Sequence, residues 1–151
     1  MTRLRAARAG ELQELSELCL RSKAVWGYDR AFLDGCKDEL KLHEEELESS
    51  YIVVAEACGK IIGVAQVEIE KFEAHLLKMF VEPESLKCGI GRMLFHWACN
   101  EARANGAKRL IVESDPCAAP FYRRMGARDV GLAPSGSVPG RMLPKLAHDL
   151  V

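Results

Sequence analysis

The sequence predicts an α/β fold, a mixed and mostly antiparallel sheet with helices on both faces. Three observations lead there. Helical spacing of apolar residues dominates before Ser50, and strand-like alternation takes over after it. Three apolar runs, Tyr51–Glu56, Ile61–Glu70 and Leu77–Val81, are separated by short turns, as in an antiparallel meander. The run at Leu77–Val81 is then joined to one at Lys108–Glu113 through a long amphipathic segment. That connection is long enough for a crossover, so these two strands are expected to be parallel.

Taken in order, Arg3-Leu4-Arg5-Ala6 is a short strand. Gly10 opens a helix with Leu12, Leu15, Leu18 and Cys19 on one face, and Gly27 breaks it. Asp29 is the N-cap of a second short helix through Phe32 and Leu33. A third helical piece is expected over Lys37–Glu48, where Glu44-Glu45-Glu46 reads as a solvated face. Tyr51–Glu56 is a strand by its β-branched content, and Cys58-Gly59 supplies a tight turn. In Ile61–Glu70, Ala65, Val67 and Ile69 alternate with Gln66, Glu68 and Glu70, which predicts one wet face. A turn near Phe72 leads to Leu77–Val81.

Ile90, Leu94, Trp97 and Ala98 give the next helix a buried stripe, and Gly106 stops it. Asp115-Pro116 reads as N-cap and first residue of the last helix, because proline loses no hydrogen bond there. Gly126 ends that helix. Arg128–Leu132 and Arg141–Leu146 are two final strands around the loop Pro134–Gly140. No internal repeat or linker is visible, so residues 1–151 are expected to form a single domain.

Composition excludes several classes. The content is 48% hydrophobic and 28% charged, that of a globular chain with a real core. A formal net charge of −1 provides no global field for nucleic acid or an anionic membrane. No apolar run approaches the ~20 residues of a membrane span. The start, Met1-Thr2-Arg3-Leu4-Arg5, is too charged for a secretory leader, so a cytoplasmic location is expected. The six cysteines form no C-x-x-C pair and have no histidine at zinc spacing. They read as free thiols in a reducing compartment, and no metal is expected.

The chemical signal lies at Gly89-x-Gly91. It follows a strand that ends at Glu82-Pro83, opens a helix, and is flanked by Lys87 and Arg92. Main-chain N–H groups and the helix dipole then converge on one spot, which suits an anion. The Lys-Ser/Thr pair of a P-loop is missing, as is the third glycine of a dinucleotide fingerprint. A pyrophosphate held by main-chain N–H groups is the ligand that remains.

Val81-Glu82-Pro83, Lys87-Cys88-Gly89-Ile90-Gly91-Arg92, Asp115 and Phe121-Tyr122-Arg123-Arg124-Met125-Gly126-Ala127 stand at a spacing that resembles the GNAT superfamily of acyl-CoA-dependent N-acyltransferases. The resemblance covers essentially the whole chain and is strongest from Leu77 to Gly126. It implies acetyl-CoA as co-substrate, with its pyrophosphate on the loop Leu86–Gly91. Leu86 departs from the family's Arg or Gln, which leaves the main chain of Lys87, Cys88, Gly89, Ile90, Gly91 and Arg92 to bind. The resemblance further implies that the strand backbone at Met79, Phe80 and Val81 pairs with pantetheine, and that the parallel strand Leu110–Val112 splays away. Asp115 stands where relatives commonly have Asn. An ionised Asp accepts but cannot donate, so an N-cap role fits it better than a coenzyme contact.

By the same resemblance Tyr122 protonates the departing thiolate, a phenol of pKa ~10 being matched to a thiol of ~8.5. The position of the general base falls on His75, with Glu68, Glu70 and Asp29 as rivals. Trp26, Tyr28 and Asp29 lie between the first two helices, which wall the acceptor pocket in the family. Aromatics with an acid suit a small cationic amine. Arg141, in the late loop, is a candidate for an acceptor carboxylate. Cys117 reads as structural or mildly reactive, His96 as a surface or helix-packing residue, and His43 and His148 carry no signal. The implied function is acetyl transfer to a primary amine on a small molecule, by direct attack in a ternary complex. A regulatory acyl-CoA-binding module without turnover is the alternative. Nucleic acid and membrane are not expected as partners, and a homodimer is left open.

Overall fold

The computed structural model describes residues Met1–Leu150. Seven strands form one sheet: β1 (Thr2–Ala6), β2 (Tyr51–Ala57), β3 (Lys60–Glu70), β4 (Glu73–Val81), β5 (Arg109–Glu113), β6 (Arg128–Pro134) and β7 (Met142–Asp149). Their spatial order is β1-β2-β3-β4-β5-β7-β6. Only β4 and β5 pair parallel; the other neighbours are antiparallel. Five α-helices, α1 (Leu12–Ala24), α2 (Arg30–Leu40), α3 (Glu46–Ser49), α4 (Ile90–Ala104) and α5 (Ala119–Arg124), and two 3-10 turns, Ala9–Glu11 and Pro83–Ser85, complete the order among the described residues. This is the mixed sheet that the sequence predicts.

Each face of the sheet has its own core. On one face, α4 buries Phe95, Ala98, Cys99 and Ala102 against Val67, Leu76, Leu110 and Val112. On the other, α1 and α2 bury Leu15, Leu18, Cys19, Cys36 and Leu40 against Ile52, Val54 and Val64. The turn at Cys58-Gly59 has positive φ at both residues, 52° and 76°, the geometry whose twist matches a tight hairpin. Gly63 on β3 lets α4 approach closely. A Cβ there would lie 3.1 Å from Ile90 Cγ2 and from Leu94 Cδ1. The first turn of α4 is thereby seated directly on the sheet.

One irregularity organises the centre. Gln66 pairs with Lys78 and Val67 pairs with Leu76, so Leu77 is an extra residue in β4. Such a bulge flips the faces of the strand beyond it. Ala74 and Leu76 pack with α4, whereas Phe80 packs with α1 and α2. The pairing of β4 with β5 also stops there, at Leu76↔Val112, although β4 runs on to Val81. The two parallel strands diverge from that point.

Three sequence expectations are corrected. The predicted break between the second helix and a third over Lys37–Glu48 is absent. Asp29 caps one continuous α2 to Leu40, because Cys36 and Leu40 extend its buried stripe. The chain then leaves the helix at Lys41 and returns to it only for Glu46–Ser49. The supposed wet face of β3 is covered in its middle. Gln66 is fully buried, donating to Glu46 Oε1 at 3.0 Å and Ser50 Oγ at 2.9 Å and accepting from Lys78 Nζ at 3.4 Å. Only Glu70 at the strand end is fully exposed on that face. Finally, α5 starts at Ala119, not Pro116. Asp115 caps the preceding turn: its carboxylate accepts from the Cys117 N–H at 2.8 Å, and its carbonyl from the Ala118 N–H at 2.9 Å.

Candidate active site

A cavity of about 670 Å³ opens where β4 and β5 part. Its walls come from the end of β4, the loop before α4, the start of α5, the α1–α2 turn and the β6–β7 loop.

The loop leaves β4 through a 3-10 turn over Pro83–Ser85. Lys87 and Gly89 then take positive φ, 66° and 81°, which reverses the chain into α4. Glycine adopts that conformation without strain; Lys87 bears a Cβ penalty. The first helical bond of α4 runs from the Met93 N–H to the Gly89 carbonyl at 3.1 Å. The N–H groups of Ile90, Gly91 and Arg92 precede it, and no side chain caps this helix end. Gly91, Lys87, Gly89 and Arg92 line the cavity. Cys88 does not, and the Ile90 side chain is buried in the core. Leu86 is exposed on the cavity rim.

The β4 edge is also open. The Glu82 N–H donates to the Ile62 carbonyl on β3 at 2.8 Å. The Val81 N–H points the opposite way, to Ser22 Oγ at 3.4 Å. Alternation along the strand turns the N–H and C=O of Met79 in the same direction as those of Val81, into the cleft that β5 has left. Met79, Phe80 and Val81 all line the cavity.

Tyr122 comes from α5. Its ring is buried against Phe95, with centroids 5.9 Å apart, and against Phe121 at 5.3 Å. It lines the cavity, and its hydroxyl has no hydrogen-bond partner among the described residues. That oxygen is not sealed off either, because the buried atoms without partners are Arg109 Nε and His148 Nδ1. Burial pushes the phenol above the ordinary tyrosine range, so it holds its proton at neutral pH.

The opposite wall is built from side chains distant in sequence. The Tyr28 hydroxyl meets Asp115 Oδ1 at 3.0 Å and Oδ2 at 2.8 Å. Arg141 Nη2 donates to that hydroxyl at 2.8 Å and lies 3.7 Å from Asp115 Oδ2. Lys23 Nζ is 3.4 Å from the same oxygen. Tyr28 stacks on Phe32 with centroids 4.1 Å apart, and the Arg141 guanidinium carbon lies 4.8 Å from the Phe32 centroid. Burial alone would raise the Asp115 carboxyl. The Cys117 N–H, the Tyr28 hydroxyl, Lys23 and Arg141 outweigh it and hold the group below the usual carboxylate range.

The sequence candidates therefore separate. Asp115, Trp26 and Arg141 line the cavity; Tyr28 stands behind them as a bridge. Asp29 does not line the cavity; its carboxylate accepts the Phe32 N–H at 2.8 Å. His75 is not on the cavity wall; its Nε2 lies 3.8 Å from Glu70 Oε2 toward the far end of β4. Among the described residues no histidine lines the cavity, and its carboxylates are Glu39, Glu113 and Asp115. Sequence reasoning missed Lys23 and Lys78. Lys78 is a buried cation in the cavity wall. Its signal was a lysine inside an apolar strand, opposite a glutamine inside another.

The model for the acetyltransferase (GNAT) domain matches residues 14–134. The chain belongs to the GNAT acetyltransferase family. Glucosamine 6-phosphate N-acetyltransferase of Trypanosoma brucei brucei is 30% identical to this GNAT chain over 77 residues. That match takes in 46% of the chain and 52% of the relative, so it spans about half of the curated protein. The fold is shared with the PaiA N-acetyltransferase of Thermoplasma acidophilum, solved in complex with coenzyme A. That likeness has a TM-score of 0.81 at 18% identity and covers 99% of both chains. A GCN5-related N-acetyltransferase from Rhodopseudomonas palustris aligns with a TM-score of 0.83 at 18% identity, over 99% of this chain and 96% of that one. Among the described residues of this GNAT protein, no cluster of three or more His, Cys, Asp or Glu could hold a metal ion. No described helix is long and apolar enough to cross a membrane.

Proposed function

We propose that the cavity binds acetyl-CoA and transfers its acetyl group directly to a primary amine on a small molecule, residues 1–151 acting as one N-acetyltransferase domain. The observation that carries this reading is a convergence. An uncapped helix N-terminus, an unpaired strand edge and a partner-free phenol face one cavity. The pyrophosphate takes the N–H groups of Gly89, Ile90, Gly91 and Arg92, with Lys87 and Arg92 adding charge. Pantetheine lies along Met79–Val81 and pairs with the main chain of Met79 as an added strand would.

The thioester carbon then rests near the bulge at Leu77. The amine nitrogen attacks it and forms the N–C bond, while the carbonyl oxygen gains negative charge beside a cleft-facing N–H of β4. The C–S bond breaks, its electron pair leaves on sulfur, and Tyr122 gives the thiolate a proton. The proton released by the amine passes to solvent and restores Tyr122. His75 has no part in this reading, because it lies off the cavity wall.

The test is coenzyme A thiol release from acetyl-CoA across a panel of primary amines, alongside acetyl-CoA binding by thermal shift. Turnover with at least one amine is expected. Binding without release for every amine would instead make the protein an acyl-CoA-responsive module.

A further inference from the structure

The wall made by Lys23, Tyr28, Asp115 and Arg141 has an uneven charge count. Two cations share one carboxylate, and all three charged groups are largely removed from water, with side-chain exposures of 15%, 21% and 11% for Lys23, Arg141 and Asp115. Of the other two cavity carboxylates, Glu113 is exposed, and Glu39 is exposed with the Ser137 hydroxyl as its partner. Neither forms an ion pair with Lys23 or Arg141 among the described residues. One positive charge is therefore left over at low dielectric.

The donors are left over as well. Arg141 has five N–H donors, and its Nη2 alone makes a hydrogen bond among the described residues. Its Nε and Nη1 are not enclosed, since neither is among the buried atoms without partners. Arg141 itself lines the cavity. The guanidinium is held by Tyr28 from the α1–α2 turn and by the Phe32 ring, and the main chain beneath it is fixed where the Ser135 N–H donates to the Arg141 carbonyl at 2.8 Å. A planar fork with fixed geometry and unused donors is suited to an oxyanion. A cationic tail is poorly served here. The Tyr28 and Phe32 faces are already taken by Lys23 and Arg141, and the Asp115 carboxylate has four partners.

We infer that the amine acceptor carries an anionic group, a phosphate or a carboxylate, which docks on Arg141 with Lys23 beside it while the amine faces Tyr122. This rests on the acetyl-transfer reading of the same cavity and names its substrate class. Arg141 and Lys23 determine specificity in it; they do not touch the reacting bond.

The experiment compares matched amines that differ in the anion. Glucosamine against glucosamine 6-phosphate is the phosphate arm; β-alaninamide against β-alanine is the carboxylate arm. The readout is the ratio of kcat/KM, anionic over neutral, for the native chain, Arg141→Gln, Arg141→Glu and Lys23→Gln. A native ratio of about tenfold or more is expected in one arm, which identifies the anion. Arg141→Gln should cut that ratio on the order of tenfold, Lys23→Gln by less, and Arg141→Glu should invert it. A native ratio near one in both arms would overturn the inference and leave acetyl transfer standing. A ratio that survives all three substitutions would overturn it too. Should no amine release thiol although acetyl-CoA binds, the proposed function falls and the inference goes with it.

Discussion

The two halves of the cavity are built from different materials. The half proposed for coenzyme is main chain: the edge of β4 at Met79, the reversed loop at Gly89, and the N-terminus of α4. The opposite half is side chain: Lys23, Tyr28, Asp115 and Arg141, drawn from α1, the α1–α2 turn, the β5–α5 turn and the β6–β7 loop. Main-chain donors are present whatever side chain stands at a position, so the first half tolerates Leu86 in place of a polar residue. The second half has no such tolerance. Each member is positioned by the others, and removing one leaves charge without a partner.

The largest effect expected is on the chemistry between the halves. Tyr122→Phe should lower kcat for thiol release roughly 100-fold or more, with acetyl-CoA affinity nearly unchanged. An unaltered rate would remove Tyr122 as proton donor. Next is the loop. Gly89→Val places a β-branched residue at φ 81° and should weaken acetyl-CoA binding roughly tenfold. Thermal shift or calorimetry would show it, and an unchanged affinity would mean that the loop does not hold the pyrophosphate.

On the side-chain half, Asp115→Asn should lower Tm at neutral pH. The sign with pH follows from the depressed carboxyl. A group with folded pKa below its unfolded value contributes stability above the unfolded pKa, about 3.9 for Asp. That contribution is lost as pH falls through the folded value. The Tm gap between native and variant should therefore shrink below about pH 4, and a gap that widens there would contradict the assignment. A smaller change is expected from Leu86→Arg. An exposed charge added to a site already bound by main chain should tighten acetyl-CoA by less than about fivefold, and high salt should erase the gain. The smallest is His75→Gln, with kcat/KM within about twofold of native across pH, which a loss on the scale of a missing base would refute.

Local signals in the sequence carried most of the fold. The apolar stripe of α1, the Asp29 cap, the Cys58-Gly59 turn, the meander and the crossover to β5 each depend on residues a few positions apart. The loop from Leu86 to Gly91 was legible for the same reason, since a strand, two glycines and a helix start are contiguous. The extra residue at Leu77 was not legible. A bulge is a mismatch between two strands, and nothing in β4 alone marks it. Gln66 looked solvated by alternation and is buried, because what covers it is decided by α3 and Ser50, brought in from another part of the chain.

By itself, then, the sequence determined the order of elements, the family resemblance and a glycine loop at a helix start, because these follow from period, backbone preference and spacing. Tertiary structure alone decided how the wall proposed for the acceptor is charged. Tyr28 lies 87 positions from Asp115 and 113 from Arg141, and Lys23 joins them across the sheet. Read along the chain, Trp26-Gly27-Tyr28-Asp29 suggested an acid and aromatics for a cation. Asp29 serves as the helix cap that its position predicted, and folding sets two cations against the aromatic rings. Electrostatic character belongs to charges that meet in space, and those meetings are fixed only when the sheet closes the distances.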